Sequence, residues 1–134
     1  MSERKKILFV CVENAGRSQM AEGFFRKYAP KRYEAISAGT KPVHAINHLA
    51  IQSMMQVGID ISKQHSKLLT NEIIEDSTLN INMGCMDKAQ CPVLFIKHTI
   101  DWNIEDPKGK PLEKVNEIRD VIELKVKELC KTLK

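Results

Sequence analysis

Apolar residues recur along the chain at two spacings, and the switches between them mark out the elements. Lys5–Val12, KKILFVCV, is a short continuous apolar run rich in branched residues, which predicts a strand buried on both faces of a parallel sheet. Ser18–Tyr28 carries Met20, Ala21, Phe24, Phe25 and Tyr28 at helical spacing, and Pro30 stops it. YEAISAG predicts a second strand ended by Gly39. His44–Val57 predicts a second helix, with Ile46, Leu49, Ala50, Met54 and Val57 on one side and Gly58 as its stop. Asn71–Asp76 reads as a short helical turn. Ser77–Met83 reads as a third strand, although asparagines suit a strand poorly, and HTIDW as a fourth. From Leu112 onward, Leu112, Val115, Ile118, Ile122, Val126, Leu129 and Leu133 repeat at three and four, a long amphipathic helix. The order β-α-β-α-β-β-α predicts a single α/β domain over residues 1–134, with about four parallel strands and helices on both faces.

Composition narrows the function. A chain of 134 residues, 43% hydrophobic, can build a core without staples. The net charge of +4 is spread over scattered lysines with no aromatic platform beside them, which argues against nucleic acid and suits a small anionic substrate. MSERKKILFVCV has basic residues before an apolar run, as a signal peptide does, but Glu13 ends the run after a few residues with no small-residue cleavage site. No segment reaches the roughly 18 apolar residues of a membrane helix. The expected location is the cytoplasm, with no membrane partner. There, four cysteines are reactive or reduced thiols rather than a disulfide framework. A monomer is expected.

The chemistry concentrates in CVENAGRS, Cys11–Ser18, where the first strand gives way to the first helix. Ligands of such sheets sit beyond the carboxyl ends of the strands. N–H groups around a short strand-to-helix loop can converge on an anion, and the helix dipole adds positive potential. The candidate substrate-binding residues are therefore Val12, Glu13, Asn14, Ala15, Gly16, Arg17 and Ser18. Arg17 offers a planar fork matched to two oxygens of a tetrahedral oxyanion. Gly16 and Asn14 tolerate the backbone angles of a tight nest. The same field favours the thiolate of Cys11 as a nucleophile. Ser18 is placed to cap the helix and to donate to the sulfur. The spacing alone also admits a buried strand-end thiol and a surface cation. No metal is expected: Cys85 and Cys91 are not spaced C-x2-C, and His44, His48, His65 and His98 form no matching pair near them, although His44 and His48 could share a helix face.

CVENAGRSQMAEGF resembles the signature of the low-molecular-weight protein tyrosine phosphatase superfamily, whose phosphate loop is C-x5-R-S. SAGT after the second strand, VGIDIS after the second helix and the Asp106–Pro107 pair match in order, from about Lys5 to Leu129. The resemblance implies a low-molecular-weight phosphatase-like fold and one of two chemistries. Phosphatases of this family transfer a phosphoryl group to the cysteine and hydrolyse it. Thioredoxin-coupled arsenate reductases use the same loop for arsenate, then pass electrons through two further cysteines.

Two places discriminate. NMGCMDKAQCP puts Cys85 and Cys91 close to where these reductases carry their redox pair, and thiol exchange needs an attacker and a resolver. Taken without the family, the two cysteines also read as buried structural thiols or as a fragment of a metal site. In DWNIEDPKGK, Asp106 matches the general acid that protonates the leaving oxygen, but Lys108, Gly109 and Lys110 stand where the phosphatases usually have tyrosines. A site without that aromatic wall suits an inorganic oxyanion. The resemblance thus implies an arsenate reductase with Cys11, Arg17, Cys85, Cys91 and Asp106 as catalytic residues, arsenate or phosphate as the bound oxyanion, thioredoxin as reductant and no cofactor. A low-molecular-weight phosphatase is the alternative. A helical 85–91 would separate the two Cα atoms by about 9 Å, against the roughly 4.4–6.8 Å of a disulfide, so the segment is expected to rearrange on oxidation.

Two details depart from the pattern. Glu13 puts a negative charge in the anion loop, so its side chain is expected to turn outward. Some reductases of this family hold potassium with an Asn, a Glu, a Ser and an Asp. Asn14, Glu22 and Ser37 match, but Lys67 takes the last place, and its ammonium is expected to stand in for the ion. Cys130, on the last helix, reads as a packing residue.

Overall fold

The computed structural model describes residues 4–84 and 99–133. Among them, four strands form one parallel sheet in the order β2-β1-β3-β4: β1 Lys5–Cys11, β2 Tyr33–Gly39, β3 Leu79–Asn82 and β4 Thr99–Asp101. The helices are α1 Arg17–Tyr28, α2 His48–Met55, α3 Asn71–Glu75 and α4 Leu112–Thr132. β1 is central, paired with β2 and β3, which is why its apolar run is unbroken. Ile7 and Phe9 meet α1, α2 and α4 on one face, while Leu8 and Val10 meet Ala38 and Ile74 of α3 on the other. This is the expected α/β architecture, flanked on both faces.

α4 buries the Val115, Ile118, Ile122, Val126 and Leu129 stripe, and Phe24 and Phe25 of α1 lie fully buried in the same core. α1 stops at Ala29, whose extended backbone leads into Pro30. The SAG segment of β2 ends in Gly39 beside Cys11 in register.

Two expected elements differ. The second helix begins at His48, not His44. Residues before it are drawn to the anion loop instead: Lys41, Val43 and Asn47 donate backbone N–H groups to Val12, Glu13 and Ala15 carbonyls. Asn47 then caps α2 by accepting from the Leu49 and Ala50 N–H groups at 2.8 and 3.2 Å. His44 therefore lies outside α2, and the two histidines share no helix face. At the other end α2 closes at Met55, and Gly58 supplies the left-handed turn at φ +80°. β3 forms despite its asparagines, all four of its residues buried. Asn82 donates to Asp101 Oδ1 at 3.0 Å and accepts from Gly84 N–H at 3.3 Å. The side-chain amide of Asn80 is fully buried without a partner among the described residues. The sheet ladder on both flanks carries this strand against poor intrinsic propensity.

Candidate active site

β1 delivers Cys11 to the carboxyl edge of the sheet, and residues 12–16 turn the chain into α1. The turn is tight because two backbones nearly touch: a Cβ on Gly39 would come 2.4 Å from the Val12 carbonyl oxygen. That contact accounts for the glycine of SAGT. Asn14 adopts the left-handed conformation at φ 52°. Its side chain accepts from Lys67 N–H at 2.8 Å and donates to Ser18 Oγ at 2.7 Å, while its carbonyl accepts from Gln19 and Ser66. Asn14 and Ser18 are both fully buried. They brace the loop from behind rather than line its cavity.

Ser18 lies inside α1, not at its cap. Gly16 is the cap residue, and it has no side chain to occupy the N–H groups of the first turn. Ser18 has a different task. Its Oγ lies 2.9 Å from Cys11 Sγ and accepts from the Asn14 amide, which leaves the hydroxyl proton available to a Cys11 thiolate. Cys11 itself is 3% exposed.

Arg17 completes the floor. Nη1 donates to the Ile104 carbonyl at 3.0 Å, and Nη2 stands 3.6 Å from Asp106 Oδ2. Nε is buried and has no hydrogen-bond partner among the described residues. Gly84 packs against the guanidinium plane, where a Cβ would lie 2.9–3.1 Å from its atoms. Asp106 is exposed, and its Oδ1 accepts from Lys108 N–H at 3.0 Å. Pro107 rests on Gly16.

Cys11, Val12, Glu13, Ala15, Gly16, Arg17 and Asp106 therefore line one cavity of about 210 Å³, closed by Asn47, Pro107 and Lys108. That volume is below the range of pockets for drug-sized ligands. Cys85 and Cys91 lie outside the described residues, as does His98. Glu13 turns outward as its charge requires, and Lys108 Nζ meets its Oε2 at 2.6 Å. This pair raises the Lys108 ammonium above its ordinary value, chiefly through the hydrogen bond to Glu13.

Behind the loop, Glu22 is buried and accepts from Ser37 Oγ at 2.5 Å and Arg26 at 2.6 Å. Lys67 Nζ stands 3.9 Å from its Oε1 and donates to the His65 carbonyl at 2.6 Å. Burial holds the Lys67 ammonium below its ordinary value, against the pull of Glu22. Among the described residues, no group of three or more His, Cys, Asp or Glu side chains is placed to hold a metal ion. Burial raises the thiol of Cys130, a partly buried residue packed against the core.

The model of the low molecular weight phosphotyrosine protein phosphatase family matches residues 6–134. The chain belongs to that family. An arsenate reductase of Staphylococcus aureus (strain Newman) is 36% identical over 124 residues, 92% of this chain and 94% of its own. A solved structure described as an arsenate reductase in the phosphate binding state superposes with a TM-score of 0.87 at 32% identity, covering 97% of this chain and 99% of that one. The thioredoxin-dependent arsenate reductase of Corynebacterium glutamicum superposes at 0.81 with 37% identity, covering 98% of this chain and 62% of that one. The family inferred from C-x5-R-S, SAGT, VGIDIS and Asp-Pro is the family found. Sequence reading did not anticipate how this low molecular weight phosphatase scaffold uses Gly84, the Ile104 carbonyl and Asn47. Gly84 and the Ile104 carbonyl act through bare space and backbone and have no side-chain signature, whereas Asn47 carries one, as a capping residue at the start of α2.

No helix of the described residues is long and apolar enough to cross a membrane.

Proposed function

We propose that this protein reduces arsenate to arsenite by a cysteine relay that thioredoxin regenerates. The observation that carries the oxyanion step is that Cys11 and the nearly buried guanidinium-bearing Arg17 line one small cavity together with Val12, Glu13, Ala15 and Gly16 of the loop. Arg17 is already oriented by Ile104 and Gly84, so an oxyanion meets a preformed donor. The relay is supported by Gly84 as well, because the residue packed on Arg17 is followed in the chain by Cys85. Relatives named as arsenate reductases over nearly the full chain support the choice of arsenate.

In the first step Cys11 Sγ attacks arsenic(V), an S–As bond forms, and an As–O bond breaks with Asp106 giving the leaving oxygen its proton. Ser18 donates to the sulfur beforehand and holds it at the cavity floor. Cys85 then attacks Cys11 Sγ. The S–As bond breaks, its electron pair stays on arsenic as arsenite, and a Cys11–Cys85 disulfide forms. Cys91 attacks Cys85, freeing Cys11. The Cys85–Cys91 disulfide takes two electrons from the thioredoxin dithiol. The relay needs no cofactor and works as a monomer, since one chain supplies every group. It requires a thiol-reducing compartment, the cytoplasm.

The test is arsenate-dependent NADPH oxidation with thioredoxin and its reductase, comparing wild type with Cys85→Ser and Cys91→Ser. Steady turnover by wild type, reduced to at most one cycle in either variant, is the expected result. Hydrolysis of a phosphate ester indifferent to both substitutions, with no arsenate turnover, would make the protein a phosphatase.

A further inference from the structure

The cavity has two walls from distant parts of the chain. One is the anion loop, the other the segment Asp106–Lys108. Cys11 and Arg17 at the bottom are 3% and 5% exposed, whereas the side chains of Glu13 and Lys108 are 35% and 66% exposed, which puts these two at the rim. They are 95 residues apart in the chain, and they meet at 2.6 Å.

We propose that the Glu13–Lys108 pair is a strap across the mouth of the cavity that biases the site toward inorganic oxyanions over organic phosphate esters. This rests on the oxyanion reading given above. An inorganic tetrahedral anion fits wholly beneath the strap. An ester must hold its phosphoryl group on Arg17 while its organic group leaves the cavity, and the rim contact lies in that path. The Lys108 N–H bond to Asp106 Oδ1 and the seat of Pro107 on Gly16 anchor the lysine's end, so the strap also holds the acid segment against the anion loop.

The pair is solvent-exposed, so the strap is weak by design of its surroundings. It biases the choice of anion by a small factor and opens without unfolding anything.

The experiment measures binding of arsenate and of phenyl phosphate by calorimetry in a Cys11→Ser background, which blocks turnover. Lys108→Ala frees the charge of Glu13 at the rim, but that charge acts on both anions alike and cancels in the ratio of their affinities. The arsenate-to-phenyl phosphate ratio is expected to fall about three- to fivefold in Lys108→Ala, while Lys108→Arg, which re-forms the pair, keeps the parental ratio. An unmoved ratio in Lys108→Ala with arsenate still bound would overturn the strap and leave the oxyanion reading intact. Failure of the parental protein to bind either anion would overturn both.

Discussion

Gly84 lies flat against the guanidinium of Arg17, so close that a Cβ on it would stand 2.9 Å from Nη2 and 3.0 Å from Cζ. The guanidinium is thus held over its face by bare backbone and at its edge by the Ile104 carbonyl and Asp106. Gly84→Ala should push Arg17 off its line and lower kcat/KM for arsenate by about 100-fold, the usual cost of a misplacement of about 1 Å. Competitive inhibition by inorganic phosphate should weaken in parallel, because the same fork holds both anions. Arsenate kinetics and phosphate inhibition constants measured together check this. Retention of both would mean the guanidinium has room to shift.

Ser18 Oγ makes a side-chain hydrogen bond with Cys11 Sγ at 2.9 Å. A hydrogen bond to a charged acceptor contributes about 1.5–3 kcal/mol, and Asn14 aligns this one by donating to the same oxygen. Ser18→Ala should therefore slow the alkylation of Cys11 by iodoacetamide at neutral pH by about tenfold or more. Asn14→Ala removes the alignment but not the hydroxyl, and should slow alkylation less. Rates unchanged in Ser18→Ala would take the hydroxyl out of nucleophile activation. The denatured proteins, alkylated in parallel, give the baseline for each variant.

The parts of this protein legible in its sequence are those whose cause is local. The unbroken KKILFVC run announces a central strand because burial on both faces leaves no room for alternation. The three-and-four stripe of α4 is written in the spacing of Val115, Ile118 and Ile122. Cys11 and Arg17 are legible because strand-end thiol and helix-start arginine share one short loop. The remainder depends on contacts between distant residues. Asn47 is a capping residue that points to a start at His48, but nothing near His44 says why the chain before it stays out of the helix. The reason is the Ala15 carbonyl, which takes the N–H of Asn47. Ser18 looks like a cap in isolation, but the turn is so tight that Gly16 takes that place. Glu13 inside an anion loop makes sense only once Lys108 is beside it. The asparagines of β3 argue against a strand until the flanking ladders are known.

Gly39 is the second place where the site depends on a missing side chain. Its Cβ position lies 2.4 Å from the Val12 carbonyl oxygen and 2.9 Å from the Asn14 amide nitrogen, both backbone atoms that cannot swing aside. Gly39→Ala should destabilise the fold by about 2–3 kcal/mol through overpacking. For a chain of this size that is a fall in Tm of roughly 6–12 °C. Thermal unfolding followed by circular dichroism measures it. Gly58→Ala is the control for a purely conformational cost, since its Cβ position meets nothing within 4 Å and only its φ of +80° is affected. The two variants should also part in function, with arsenate affinity lost in Gly39→Ala and kept in Gly58→Ala.

Lys67 puts an ammonium beside Glu22, which is buried and accepts from both Ser37 and Arg26. A monovalent cation would find its place beside that carboxylate already taken, so wild-type Tm should be the same in potassium and in a bulky organic cation at equal ionic strength. Lys67→Asp adds a carboxylate and removes the ammonium, leaving Arg26 as the cation paired with Glu22. Its Tm should become potassium-dependent, rising with the concentration of the ion as binding to the folded state requires. The lysine also sets a sign at alkaline pH. Burial lowers its value below 10.5 in the folded state, so between that lowered value and 10.5 the unfolded chain binds more protons than the folded one. The contribution of Lys67 to stability therefore rises with pH across that window. Lys67→Met lacks the titrating group, and the stability of wild type relative to it should climb as pH is raised toward 10.5, measured by urea unfolding. A flat difference across the window would mean that the ammonium is as well solvated in the fold as in the unfolded chain, and the potassium result would then have to come from the carboxylates alone.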